Sequence, residues 1–210
     1  MAEGLPSISM FISLAPNPHS YSSPAPPTLS VTATSHASRP LTMLTWHTLL
    51  DPHLALRQSA FCITDLTTGT PVPQTTVQLS RAPLQRRAGS PDDRLFLTLF
   101  PEQPVTVAIP FGYPVEPNGP PRPAGHPGRM RESAPGAIPR SVCGVDGLVA
   151  GRRYELRVCG GLKVGWWRWG TREEVLEPEG SREAATLGDS EEGFEIDGEG
   201  IEPVVFQVVE

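Results

Sequence analysis

The chain has 210 residues, 25 of them proline and 20 glycine, and a formal net charge of −6 at neutral pH. Proline and glycine together exceed a fifth of the chain, which disfavours long helices and points to many short elements joined by punctuated loops. The acidic balance, with an isoelectric point near 5.4, argues against nucleic acid as a partner, because phosphate binding needs a basic face.

Residues 7–14 (SISMFISL) place Ile8, Met10, Ile12 and Leu14 on one face and Ser7, Ser9, Phe11 and Ser13 on the other. This period of two predicts a half-buried strand, stopped by Pro16 and Pro18. A proline- and serine-rich connection leads to a second alternating segment at 29–34, and after a polar turn a third strand runs over 41–47. The short loop between these two predicts a hairpin. A helical turn fits 53–58, and a strand at 61–66 ends in the turn signal TTGTP at 67–71. Alternation resumes at 75–79. The stretch 81–93 reads as an exposed loop, followed by strands at 94–100 and 105–109.

Residues 112–147 contain eight prolines and seven glycines among few large apolar side chains, and are expected to be a mobile insertion within one domain spanning 1–210. Tyr154, Leu156 and Val158 alternate with Arg153, Glu155 and Arg157, predicting a strand. Thr171 and Glu174 have the spacing of a capping box, so a short helix is predicted at 172–176, ended by Pro178. An acidic, solvated loop is expected at 177–193, and a final strand over 204–209 carries apolar residues on both faces. About eight or nine strands with almost no helix predict an all-β, immunoglobulin-like β-sandwich.

Chemistry-bearing residues are dispersed. His19, His36, His47, His53 and His126 lack a zinc-ligand spacing, and no phosphate loop, nucleophile elbow or metalloprotease helix is present. No catalytic residue, metal site or cofactor is therefore predicted. Cys62, Cys143 and Cys159 form an odd set without a Cys-x-x-Cys pair; one bridge with a spare thiol is open, and three reduced thiols are the expectation. Of the seventeen basic residues one is lysine, Lys163; guanidinium recognition of anions is one reading of this bias, and coding-composition bias the other. The N-terminus lacks the basic and apolar regions of a secretory signal, and no run approaches the ~18 apolar residues of a membrane span. A soluble, monomeric, cytoplasmic protein is the expectation.

The cluster Trp166, Trp167, Arg168 and Trp169 is the candidate binding site. It offers a stacking platform for a sugar or flat ligand, with Arg168 adding cation–π contact. The alternative is a satellite core, because adjacent tryptophans on a strand face opposite sides.

The stretches LSVTATSH (29–36), LTMLTW (41–46), ITDLTTG (63–69), the GRRY turn at 151–154 and WWRWGTREEVL (166–176) resemble a group of uncharacterised proteins of filamentous fungi, a resemblance that implies no established activity. The strand order around Trp46 and the TDLTTG motif is also similar to the β-sandwich domain that precedes deuterolysin-type metalloproteases, and to bacterial intracellular proteinase-inhibitor domains. Both imply a sandwich fold. The protease's His-Glu-x-x-His is absent, so peptidase activity does not carry over. The resulting expectation is a non-enzymatic interaction module with a protein partner. Alternatives are a carbohydrate- or small-ligand-binding protein, or an enzyme whose site is assembled from dispersed residues.

Overall fold

A computed structural model describes residues 4–20, 26–74, 76, 83–111, 147–179, 187 and 193–210. Its first elements are β1 (Ile8–Ala15), β2 (His19–Ser20), β3 (Thr28–Ser35), β4 (Leu41–Leu44), α1 (Pro52–Arg57), β5 (Phe61–Asp65) and β6 (Thr70–Pro71). After a 3-10 turn at Asp93–Leu95 come β7 (Phe96–Leu99) and β8 (Val105–Pro110). The remainder comprises β9 (Arg153–Val158), β10 (Lys163–Val164), β11 (Trp167–Trp169), α2 (Arg172–Val175), β12 (Phe194–Glu195) and β13 (Val204–Val209). Among the described residues nine strands have three or more residues and four have two, an all-β, sandwich-like fold. The strand expected at 75–79, the insertion at 112–147 and the acidic loop at 177–193 lie largely outside the described residues.

Alternation becomes burial. In β1, Ile8, Met10, Ile12 and Leu14 are buried while Ser9, Phe11 and Ala15 are exposed; in β3, Leu29, Val31 and Ala33 turn inward. Each buried aliphatic side chain of this size stabilises by about 1.5–3 kcal/mol. β1, β3 and β8 form one antiparallel sheet, with Phe11 opposite Thr32 and Thr32 opposite Thr106. The second sheet has the order β2-β13-β9-β5-β6. Within it β2 runs parallel to β13 and the other pairs are antiparallel. Phe61 and Ile63 of β5, Tyr154 and Leu156 of β9, and Phe206 and Val208 of β13 meet the inner side chains of β1 and β3 in one core.

The hairpin expected between the second and third strands is not formed. β3 pairs with β1 and β8, whereas β4 pairs with β7 and β11 in a third sheet. The eight-residue register between β1 and β3 sets buried positions opposite buried ones, with Met10 facing Ala33, Ile12 facing Val31 and Leu14 facing Leu29, a length of pairing that the four-residue β4 cannot offer. β4 is instead buried on both faces: Leu41 and Met43 enter the main core, and Leu44 joins a second cluster with Leu95, Phe96, Trp166, Val175 and Leu176. The Thr42 hydroxyl, buried between them, donates to the Gly170 carbonyl at 2.9 Å and lies 2.8 Å from the Thr98 hydroxyl.

Both helices start on side-chain caps. Asp51 accepts the Leu54 amide at 3.2 Å ahead of Pro52, whose fixed φ suits a first helical position. The Glu174 carboxylate accepts the Thr171 amide at 2.7 Å, as the capping-box spacing predicts.

Candidate functional site

The tryptophan cluster sits on and beside β11, which pairs Trp167 with Met43, Arg168 with Thr42 and Trp169 with Leu41. Consecutive side chains take opposite faces, so Trp166 and Trp167 part company. Trp166 is 3% exposed, meets Phe96 edge-on at 5.3 Å, and donates its indole N–H to the Leu187 carbonyl at 3.0 Å. Trp167 is 2% exposed and stands edge-on to Phe194 and to Trp169. Both indoles are packing residues. Trp169 and Arg168 are partly exposed, and one face of the Trp169 ring carries the Arg39 guanidinium at 4.6 Å. The stacking surface open to a ligand thus reduces to what remains of Trp169.

The cysteines depart from the expectation of three reduced thiols. Cys62 of β5 and Cys159, just past β9, form a disulfide with Cα atoms 5.9 Å apart, within the range a bridge requires. The two strands are neighbours in the sheet, and the Cys159 amide donates to the Ala60 carbonyl. A separation of 97 residues hid this pairing from spacing arguments.

Charged groups are used structurally. Arg152 donates to Asp65 at 2.6 Å, and the other Asp65 oxygen accepts the Thr67 amide at 2.8 Å. Burial alone would raise the Asp65 carboxyl, but Arg152 and Thr67 together hold it below the ordinary carboxylate value. An open depression of about 550 Å³ is lined by Ser90, Asp93, Arg94 and Arg172. There Asp93 accepts from Arg172 at 2.8 Å, which lowers its carboxyl, and the Gly89 amide adds to the effect. Among the described residues no three His, Cys, Asp or Glu side chains converge as a metal site would require. No helix there is long and apolar enough to cross a membrane.

Two features escaped sequence reasoning. The first is the solvent face of the β1-β3-β8 sheet. Its β1 positions are Ser9, Phe11, Ser13 and Ala15; its β3 positions are Thr28, Ser30, Thr32 and Thr34; β8 contributes Thr106, Ala108 and Pro110. None is charged. The solvent face of the other sheet, by contrast, carries Arg153, Glu155 and Arg157 on β9 alone. Phe11 is 57% exposed midway along the edge strand β1 of the neutral face, and Thr32 and Thr106 share a hydroxyl contact of 2.8 Å on the strands beside it. The alternation that predicted β1 already placed Phe11 outward; its neutral neighbours on β3 and β8 needed the pairing.

The second is a chain of three polar side chains at one end of that face. Ser9 Oγ lies 2.9 Å from His36 Nε2, and His36 Nδ1 lies 3.0 Å from both carboxylate oxygens of Glu102. These residues are 27 and 66 positions apart, so no local motif reveals them. Compared with known protein families and curated proteins, the chain matches no family model and no curated sequence.

Proposed function

We propose that the chain is an immunoglobulin-like interaction module that binds a protein partner through the neutral face of β1, β3 and β8. The strand order supports the fold reading. One sheet holds β1, β3 and β8, the other β13, β9, β5 and β6, with the short β2 running parallel to the last strand. The Tyr154 hydroxyl near the start of β9 contacts the Val149 backbone five residues upstream, an arrangement like the tyrosine corner of immunoglobulin domains. The Cys62–Cys159 bridge departs from that pattern, because it lies within one sheet instead of joining two. It also weighs against the cytoplasmic location expected from the sequence, since cytosolic thiols are kept reduced.

The observation that carries the binding reading is Phe11, an exposed aromatic ring on a sheet face without charge. The contrast with the outer face of β9, which carries Arg153, Glu155 and Arg157, supports the reading. Eight-residue strands at about 3.3 Å per residue, and three strands at about 4.8 Å spacing, give a face of roughly 26 by 14 Å, or roughly 400 Å². That is about half of what each partner buries in a standard stable interface. The expected contact is therefore transient, or is widened by adjoining loops, with the protein a monomer on its own.

A photo-crosslinking residue placed at Ser13 tests this, with Arg157 on the opposite sheet as the control position. The proposal predicts a discrete protein adduct from Ser13 that disappears when Thr106→Glu puts a charge on the face. Equal adducts from both positions, or indifference to Thr106→Glu, would count against it. A ligand-binding role for the tryptophan corner is the second reading, and rests on the partly exposed Trp169 with Arg39 over its ring.

A further inference from the structure

Ser9, His36 and Glu102 are joined in the order hydroxyl, imidazole, carboxylate, with each link at hydrogen-bond length. We propose that they form an acyl-transfer site that hydrolyses neutral carboxylic esters bearing an apolar acyl or aryl group. The proposal goes beyond the interaction reading and stands without it.

The geometry meets the requirements of nucleophilic catalysis link by link. A Glu102 carboxylate can accept a hydrogen bond but not donate one, so the His36 Nδ1–H donates to it. That tautomer leaves a lone pair on Nε2, facing the Ser9 hydroxyl at 2.9 Å, the separation at which a general base takes a proton. Backbone contacts hold all three groups. The His36 amide donates to the Ser7 carbonyl, tying the base to the start of β1. The Glu102 amide donates to the Ser35 carbonyl, and Pro101 bridges to Ser35, tying the acid to the end of β3. Glu102 has φ +55, a left-handed conformation that a non-glycine residue adopts at a cost, and such residues cluster at functional sites.

A site for the developing oxyanion lies next to the nucleophile. Because the His36 amide bonds to the Ser7 carbonyl, Ser7 with His36 and Ser9 with Thr34 are the hydrogen-bonded pairs of the ladder. The intervening amides, including that of Met10, point to the outer edge of β1. Among the described residues no strand pairs with that edge. The amide of the residue after a nucleophilic serine is the donor that α/β-hydrolases use for this purpose. Phe11, two residues along the same face and so about 7 Å away, supplies an apolar surface for the acyl or aryl group. The strand positions around Phe11 carry no charge to pair with an ionic acyl or aryl group.

In the reaction, Ser9 Oγ attacks the ester carbonyl carbon while its proton passes to His36 Nε2, and the Glu102 carboxylate stabilises the imidazolium. The carbon–oxygen bond to the leaving alcohol breaks, and the alcohol departs with the proton from His36. Water then attacks acyl-Ser9, giving up a proton to His36. The carboxylic acid is released and Ser9 recovers its hydroxyl. Ser9 is the nucleophile and His36 the base; Glu102 acts through His36 and is a positioning residue.

The test uses the full chain with a fluorophosphonate probe and a p-nitrophenyl butyrate assay. The proposal predicts covalent phosphonylation that peptide mapping assigns to Ser9, with at least about a tenfold loss of both labelling and hydrolysis in Ser9→Ala and His36→Gln. Glu102→Gln should lower kcat with KM unchanged, and Glu102→Asp should restore part of it. All three residues are exposed, and unchanged circular dichroism and melting temperature confirm that the variants fold. Absence of labelling, labelling at another residue, or labelling of Ser9 that is indifferent to His36→Gln overturns the proposal.

Discussion

The Tyr154 hydroxyl accepts the Val149 amide at 2.7 Å while its ring stacks on Phe206 at a centroid distance of 5.6 Å. One side chain therefore fastens the turn leading into β9 and fills the centre of the core. Tyr154→Phe keeps the ring and strands the Val149 amide, so a loss of about 1–2 kcal/mol is expected from denaturant unfolding. Tyr154→Ala should cost about 3–5 kcal/mol. A Phe variant as stable as the unsubstituted protein would mean that the hydroxyl contact carries no weight.

The tryptophans should separate by burial. Trp166→Ala and Trp167→Ala each empty a packed site and should destabilise by about 3–5 kcal/mol. Trp169→Ala removes a partly exposed ring and one cation–π contact with Arg39, and should cost about 1–2 kcal/mol. Thermal unfolding of the three variants checks the order; equal losses would contradict it.

Much of this was legible in local pattern. Alternation located β1, β3 and β9 because each has one face in the core, and it also placed Trp166 and Trp167 on opposite sides; β13 was legible as a short run with apolar residues on both faces. The Thr171–Glu174 spacing located α2 because a capping box is a local interaction. Pairing was not legible. A short loop between β3 and β4 suggested a hairpin, yet β3 satisfies its backbone against β1 and β8, a choice set by strand length and distant partners. The Cys62–Cys159 bridge and the Ser9–His36–Glu102 chain were hidden for the same reason, since each joins residues that meet only once the sheets have formed.

Acid should weaken the fold in two windows. Burial lowers the His19 imidazole below its ordinary value of 6.5; at the exposed His53 partial desolvation and nearby Arg57, partly opposed by Asp51, act in the same direction. The unfolded chain takes up these protons near pH 6.5 and the folded chain resists them. Stability is thus fully present above that value and is lost as the pH falls through the folded-state pKa. Asp65 and Asp93 lie below the ordinary 3.8, so their contribution is present above that value and is lost at still lower pH. Urea midpoints at about pH 7.5 and about pH 5 should differ, and His19→Gln should shrink the difference. A flat profile across that interval would refute the first window.

The bridge closes a long loop of 97 residues. Reduction, or Cys159→Ser, should lower stability by about 2–4 kcal/mol. Thiol titration under denaturing conditions should find two more thiols after reduction than before. An unchanged thiol count would exclude the bridge.

The neutral face is the centre of the functional account, and binding affinity tests it most directly. With the partner captured from Ser13, its dissociation constant should be measured against Phe11→Glu and, on the opposite sheet, Val205→Glu. An exposed aromatic anchor of this kind is worth about 2 kcal/mol or more, so Phe11→Glu should weaken binding at least about tenfold while Val205→Glu leaves it within about twofold. Equal affinity for the Phe11 variant, or a loss confined to the Val205 variant, would contradict the account.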